Sequence, residues 1–197
     1  MEQLVESPKK QGDLFSKIQN LIVYFSLYSI IGWCYEVFLE VVVYRWGFSN
    51  RGVLFGPYTP VYGFGALAFI ILVYPIIRGK DLKKRLMLMP VVFLLCMLIA
   101  TAIELGTSYA LEAITGSWPW QTYADYDINF QARIALSPSI RFGLGGVLFL
   151  YVLQPLFEKI CNKLGEKGVR ILALTMLFVF IVDCIFTFSG MRASLGV

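Results

Sequence analysis

The sequence predicts an all-α membrane protein of about five transmembrane helices, and three observations carry that prediction. The chain has 197 residues, of which 58% are hydrophobic and 15% charged, with a mean hydropathy of +0.70. A soluble domain carries about 25% charge and about 45–50% apolar residues. Several apolar runs reach the roughly 18 residues that cross a bilayer as a helix. Lysine and arginine, finally, crowd alternate connections between those runs, as a chain that threads back and forth requires.

The elements follow in order. Residues 1–17 open with the polar MEQLVESPKKQGD and lack the apolar core and cleavage site of a signal peptide, so they read as a cytoplasmic N-tail. A single transmembrane domain over 18–192 then holds spans at about 18–45, 58–77, 86–112, 140–160 and 169–190. The second span begins among Pro57, Pro60, Gly56, Gly63 and Gly65. Proline at a helix start is benign, because its missing N–H would be unpaired there in any case. Two prolines with three glycines at membrane depth nevertheless favour an irregular entry, backed by protein or lining a wet cavity. Gly143, Gly145 and Gly146 in the fourth span permit close helix packing. Segment 113–139 is too polar to cross as a lipid-facing helix. Its Trp118, Trp120, Tyr123 and Tyr126 suit the headgroup level, on the membrane or folded back over the helices.

Charge counting orients the spans. Lys9, Lys10, Lys17, Arg78, Lys80, Lys83, Lys84, Arg85, Lys159, Lys163, Lys167 and Arg170 fall on one side, including every lysine among the 17 basic residues. Arg45, Arg51, Arg133, Arg141 and Arg192 fall on the other. The richer side is cytoplasmic, which puts the N-terminus inside and the C-terminus outside the cell membrane.

Ionisable residues within spans carry the functional signal. Glu36 and Glu40 lie in the first span, Glu104 and Glu112 in the third, and Asp183 in the last. Each such group costs roughly 2.5–3.5 kcal/mol on insertion scales and is a functional candidate by default. With a rise of 1.5 Å per residue, Glu36 and Glu104 lie about 27 Å from the inner entry and Asp183 about 21 Å, all beyond the midplane. That is the level of Arg51, Arg133 and Arg141. Glu40 and Glu112 read as solvated residues at the outer interface. Glu36, Glu104 and Asp183 read either as ion-pair partners of the three arginines, locking helices together, or as ligand-handling groups; the two roles are compatible. Each Glu pair also precedes a related pattern, Arg51-x5-Pro57-x5-Gly63-x-Gly65 and Arg133-x4-Pro138-x4-Gly143-x-Gly145. Two parallel helical-hairpin repeats followed by a C-terminal helix would produce it, with a site at the interface of the halves.

Other chemistry is poorly represented. No histidine occurs, and Cys34, Cys96, Cys161 and Cys184 have no CxxC spacing. The cysteines read as small buried hydrophobes. No metal site, disulfide framework, haem or other cofactor is expected. Nothing points to nucleic acid.

The string Gly32-Trp33-Cys34-Tyr35-Glu36, followed by Asn50-Arg51-Gly52-Val53-Leu54-Phe55-Gly56-Pro57-Tyr58-Thr59-Pro60-Val61-Tyr62-Gly63, resembles a bacterial membrane family labelled ABC-transporter permease, CmpB-like or type IV. The resemblance covers most of residues 20–150. The family's second block is similar to Glu104 through Gly143, with its paired acids at Glu104 and Glu112, its aromatic stretch at Trp120 and Tyr123, and its Asn-x-x-Gly-Arg at Asn129 to Arg133. Its later Ser and Gly match Ser139 and Gly143. Departures are Ala132 for the glycine before Arg133, Ala135 for a cysteine, Gln121 for an acid, and Arg141 at an apolar position. The resemblance implies a transport role. No G-x4-GK[ST] occurs, so any ATPase would be a separate chain.

Residues and resemblance together suggest a permease-like or substrate-binding subunit. It would handle a small polar or charged solute at a charged cavity in the outer half of the membrane. The candidate substrate-binding residues are Glu36, Arg51, Tyr58, Tyr62, Glu104, Asn129, Arg133 and Asp183. Expected partners are the lipid bilayer, the solute, and a separate ATPase or other membrane subunit. Two alternatives stand beside it: an intramembrane enzyme acting on lipid headgroups, and a structural subunit of a larger membrane complex. Paired carboxylates could act as acid and base, but the missing histidine, serine motif and metal ligands weigh against an enzyme.

Overall fold

The protein is described by a computed structural model over residues 9–52, 54–118 and 120–189. N-tail residues 1–8, the end of the last expected span at 190, and Arg192 lie outside the described residues, as do the side chains of Lys9 and Lys10. Helix α1 runs Lys9–Phe38 and continues as a π turn over Leu39–Val43. An irregular connection leads to α2, Pro60–Leu72, and to the short α3, Tyr74–Ile77. Helix α4 runs Leu82–Thr115 and ends on Gly116, whose left-handed φ of 80° lets its N–H reach the Glu112 carbonyl at 2.8 Å. Helix α5, Leu136–Leu148, passes through a π turn at Phe149–Leu153 into α6, Gln154–Phe188. Gly165, at φ 66° and ψ 173°, breaks α6 in two.

Among the described residues these amount to five helical stretches, in an all-α fold with one pair of two-residue strands. Leu14–Val43, Leu82–Ile114 and Leu136–Phe188 are long and apolar enough to cross a membrane, and Pro60–Leu72 is a shorter apolar helix. The Gly165 break falls between the fourth and fifth spans read from sequence. Helix α4 reaches beyond the expected boundary at 112. The segment after it contains a 3-10 turn, Gln121–Asp125, and strands β1, Asn129–Phe130, and β2, Ile134–Ala135, paired antiparallel.

The chain divides into two compact units. One takes in the described residues up to Phe64 and those from Phe157 onward; the other is Gly65–Leu156. In the first, Val23, Tyr24 and Tyr28 of α1 are buried, as are Phe157, Cys161, Val169 and Ala173 of α6. Tyr28 meets Phe157 edge-on at 5.1 Å, and Phe25 sits between Phe64 and Phe180 at 4.9 and 5.5 Å. In the second, Phe69, Val73, Tyr74 and Ile77 pack with Val92, Cys96 and Leu150.

Glycine sets the helix spacing in both units. A methyl group added at Gly63 would fall 2.6 Å from Phe25 Cδ2 and 2.7 Å from the Phe25 carbonyl. One added at Gly143 would fall 2.6 Å from Phe93 Cε2 and 3.1 Å from the Phe93 carbonyl. Gly65 and Gly145, two residues on, face open space. The first glycine of each Gly-x-Gly therefore lets two backbones approach, the usual use of small residues between membrane helices. Gly143→Ala should lower stability by about 1–3 kcal/mol through overpacking, while Gly145→Ala leaves it unchanged. Thermal unfolding of the two variants in detergent checks this, and equal midpoints would refute the assignment.

Candidate functional site

Every acid singled out within a span has a donor, and in each case the donor comes from a neighbouring loop or helix. Asp183, 8% exposed on α6, receives the connection between α1 and α2. Its Oδ1 accepts the Phe55 N–H at 3.0 Å and the Thr187 hydroxyl at 3.1 Å. Its Oδ2 accepts the Gly56 N–H at 2.7 Å and the Tyr58 hydroxyl. A carboxylate held by two backbone N–H groups and two hydroxyls needs no counter-cation to remain charged.

The same connection is fastened at two further points. Glu40, 6% exposed in the π turn, forms an ion pair with Arg51, whose Nε lies at 3.0 Å, and accepts the Ser49 hydroxyl at 2.7 Å. Asn50 accepts the Trp33 indole N–H at 2.8 Å and donates to the carbonyls of Leu54 and Phe55 at 3.1 and 2.9 Å. Glu36, one turn before Glu40 in the sequence, instead accepts the hydroxyl of Tyr62 on α2. Glu40 itself lies in the i→i+5 turn at Leu39–Val43, whereas Glu36 lies in the regular helix before it.

The second unit repeats much of this plan. Glu112 on α4 pairs with Arg133 Nη2 at 2.5 Å. Arg133 is 6% exposed and lies 4.0 Å from the ring centres of both Tyr109 and Trp118, with Nη1 at 3.4 Å from the Ser108 hydroxyl. The Trp118 and Trp120 indoles donate to the carbonyls of Ala132 and Arg133 at 3.1 and 2.8 Å, and Tyr109 donates to Gln131 at 2.9 Å. Glu104 accepts the Tyr123 hydroxyl on Oε1 at 2.8 Å. Its Oε2 is buried with no hydrogen-bond partner among the described residues. Burial, and then the adjacent Glu104, raise the Tyr123 pKa well above the ordinary phenol value, so this hydroxyl stays a donor.

The correspondence between units is specific. Phe25 and Phe93 precede Glu36 and Glu104 by the same spacing, and each supplies the carbonyl beneath the first glycine of a Gly-x-Gly. In both units the first acid accepts a tyrosine hydroxyl and the second forms an ion pair with an arginine. The tyrosine differs in origin: Tyr62 lies on a helix after Arg51, whereas Tyr123 lies in a loop before Arg133.

Residues 23–188 match the protein family described as "Putative ABC-transporter type IV". The chain belongs to this family. The type IV match spans both acid-arginine clusters, and with three helices able to cross a membrane it makes the chain a transport-related membrane protein. No curated protein and no solved structure matches the chain.

Of the site residues read from sequence, Glu36, Arg51, Tyr58, Tyr62 and Asp183 lie in the first unit in three separate pairings, Glu36 with Tyr62, Asp183 with Tyr58 and Arg51 with Glu40, and Glu104 and Arg133 lie in the second. Asn129, exposed on β1, accepts the Ala132 N–H and donates to the Tyr126 carbonyl, shaping the hairpin that carries Arg133. Two expectations need correction. Glu40 and Glu112 are not merely solvated interface residues, and Arg51 and Arg133 pair with them rather than with Glu36, Glu104 or Asp183. The reason is reach: each arginine stands in a loop folded back on the C-terminal end of the preceding helix, where the later acid sits. Arg141 bonds Ser137 at 3.2 Å. Sequence reasoning also passed over Ser49, Ser108 and Tyr109, and gave Trp118 only an interfacial position; the aromatic–arginine combination in Trp118 and Arg133 was the available signal.

Two predictions follow from these contacts. Arg133→Lys keeps the charge but loses the planar group between two rings. It should cost about 2–3 kcal/mol, part of the pair being screened because Glu112 is 43% exposed. Thermal unfolding and faster proteolytic cleavage between residues 117 and 135 would register it. Asp183→Asn should speed amide exchange at Phe55 and Gly56 about tenfold or more, the size of one charged hydrogen bond. Unchanged exchange at those amides would show that Asp183 does not hold the loop.

Proposed function

We propose that this protein is a permease-like or substrate-binding subunit of the cell membrane that handles a small polar or charged solute through carboxylates set in its helices. One observation carries the reading: Glu104 is fixed through one oxygen by Tyr123, while its other oxygen is buried without a hydrogen-bond partner among the described residues. A buried acceptor left open is costly, at about 1–3 kcal/mol. A cationic or hydroxylated solute, or a proton, relieves that cost on binding. Glu36, positioned by Tyr62, takes the corresponding part in the first unit. Within the first unit Arg51, Tyr58 and Asp183 shape the connection that precedes α2, and within the second Asn129 and Arg133 shape the hairpin that precedes α5. The basic excess at alternate connections supports a cytoplasmic N-terminus and an outward C-terminus. No phosphate-binding loop motif occurs in the sequence, so ATP hydrolysis would reside in a partner ATPase.

A second reading draws on a different observation. Arg51, Arg133 and Asp183 are already met within the chain, which supports a structural membrane subunit whose charges pin its loops.

Mass spectrometry of small molecules co-purifying with the wild-type protein and with Glu104→Gln separates the two. The transport reading expects a solute that is lost from the variant while the thermal midpoint stays within a few degrees. A variant that loses stability with no difference in bound small molecules supports the structural subunit and refutes the transport role of Glu104.

A further inference from the structure

Within the second unit, a cleft of about 300 Å³ opens beside the start of α5, lined by Tyr126, Asp127, Ile128, Ser137, Ile140 and Arg141 among others. That volume is at the small end of the range for small-ligand sites. Its lining is divided by chemistry. Asp127 and Arg141 supply one charge of each sign, both side chains are exposed, and Tyr126 and Ser137 add hydroxyls. Ile128 and Ile140 supply apolar walls and are 63% and 39% exposed.

The position of Arg141 is unusual for so charged a group. It stands about 7.5 Å into a spanning helix, by helix rise. Directly beside it runs an apolar row at every fourth position, Leu136, Ile140, Leu144 and Leu148, exposed by 43, 39, 60 and 51%. Such a row on a membrane helix is the side that contacts acyl chains. A guanidinium next to it bends its long stem toward the headgroup layer and needs an anion there. Among the described residues Arg141 forms a hydrogen bond to Ser137 and no ion pair. Asp127, at the same cleft, likewise forms no ion pair among the described residues.

We propose that this cleft binds the headgroup of a zwitterionic phospholipid bearing an ammonium group, of the phosphatidylethanolamine type. Arg141 and the Ser137 hydroxyl take the phosphate in charge-assisted hydrogen bonds. Asp127 takes the ammonium, with the Tyr126 ring beside it. Ile128, Ile140 and the apolar row of α5 receive the glycerol end and the acyl chains. An anionic lipid without the ammonium would satisfy Arg141 and be repelled by Asp127, so the pair selects the zwitterion. This site is independent of the solute reading, since it uses none of the acids set within the spans.

Native mass spectrometry of the full chain in detergent, incubated with equal amounts of phosphatidylethanolamine and phosphatidylglycerol, tests the proposal. Wild type should retain phosphatidylethanolamine in preference to phosphatidylglycerol. Arg141→Gln should reduce retention of both by about tenfold or more, the size of one charged hydrogen bond, and Arg141→Lys should restore part of it. Asp127→Asn should abolish the preference while leaving phosphatidylglycerol bound. Both side chains are exposed, and a thermal scan verifies folding; should Arg141→Gln fail to fold, Arg141→Lys and Asp127→Asn decide. Equal retention of the two lipids by wild type overturns the proposal, as does undiminished retention by folded Arg141→Gln. Soluble phosphoethanolamine, added alone, distinguishes the source: its binding in the absence of any lipid retention would make the ligand a free phosphate ester and refute the lipid site.

Discussion

A carboxylate placed among apolar side chains must be given hydrogen-bond donors, and the connections of this protein are arranged to supply them. Asp183 draws the Phe55 and Gly56 amides and the Tyr58 hydroxyl onto α6. Glu40 draws back Ser49 and Arg51, and Glu112 draws back the hairpin that carries Arg133. The polar segments between helices are thus fastened to the helices by the acids that would otherwise be the chain's most costly residues. The same constraint explains why these segments contain so many indole, hydroxyl and amide donors, and why their path is irregular without being loose.

The two units meet that constraint in parallel ways. In each, an aromatic carbonyl faces a glycine, the first acid receives a tyrosine hydroxyl, and the second acid receives an arginine. The arginine environments differ in a telling respect. Arg51 is one-third exposed and shares Glu40 with Ser49, while Arg133 is nearly enclosed between two aromatic rings. The enclosed guanidinium gives the second loop two ring contacts besides its ion pair. Its hairpin also places Gln131 and Ala132 at φ of 52° and 54°, where glycine would be unstrained. The glycine that the type IV pattern carries before the arginine meets that need; here the indole of Trp118, bonded to the Ala132 carbonyl, helps hold the strained turn. A departure noticed as a mere substitution thereby acquires a conformational cost and a compensation.

Membership of the type IV family and helices able to cross a membrane describe a transport-related membrane protein, but they leave open which carboxylates act and which only hold. Hydrogen-bond accounting draws a line between them. Asp183 and Glu40 meet the chain's own donors on both carboxylate oxygens, and Glu112, half-exposed, meets Arg133 on one. Glu104 has one oxygen fixed by Tyr123 and one without a hydrogen-bond partner among the described residues, the observation on which its proposed role rests.

Hydrophobic run length is a local quantity, so the all-α class and the five helical stretches were legible in the sequence alone. The motif around Asn50 to Gly63 was legible too, because its prolines and glycines punctuate the chain at short range. Partner choice was not. Arg51 and Arg133 looked equally able to reach any acid at their level, and only the folded path of each loop, set by many weak contacts at once, decided for Glu40 and Glu112. Tyr123 passed as an interfacial aromatic until its loop brought it to Glu104, since nothing in its sequence neighbourhood encodes a contact 19 residues away. Sequence determined which residues must be satisfied, because that follows from side-chain chemistry and a bilayer's low polarity. Tertiary structure decided by whom, because donors are supplied by segments whose meeting depends on the whole chain.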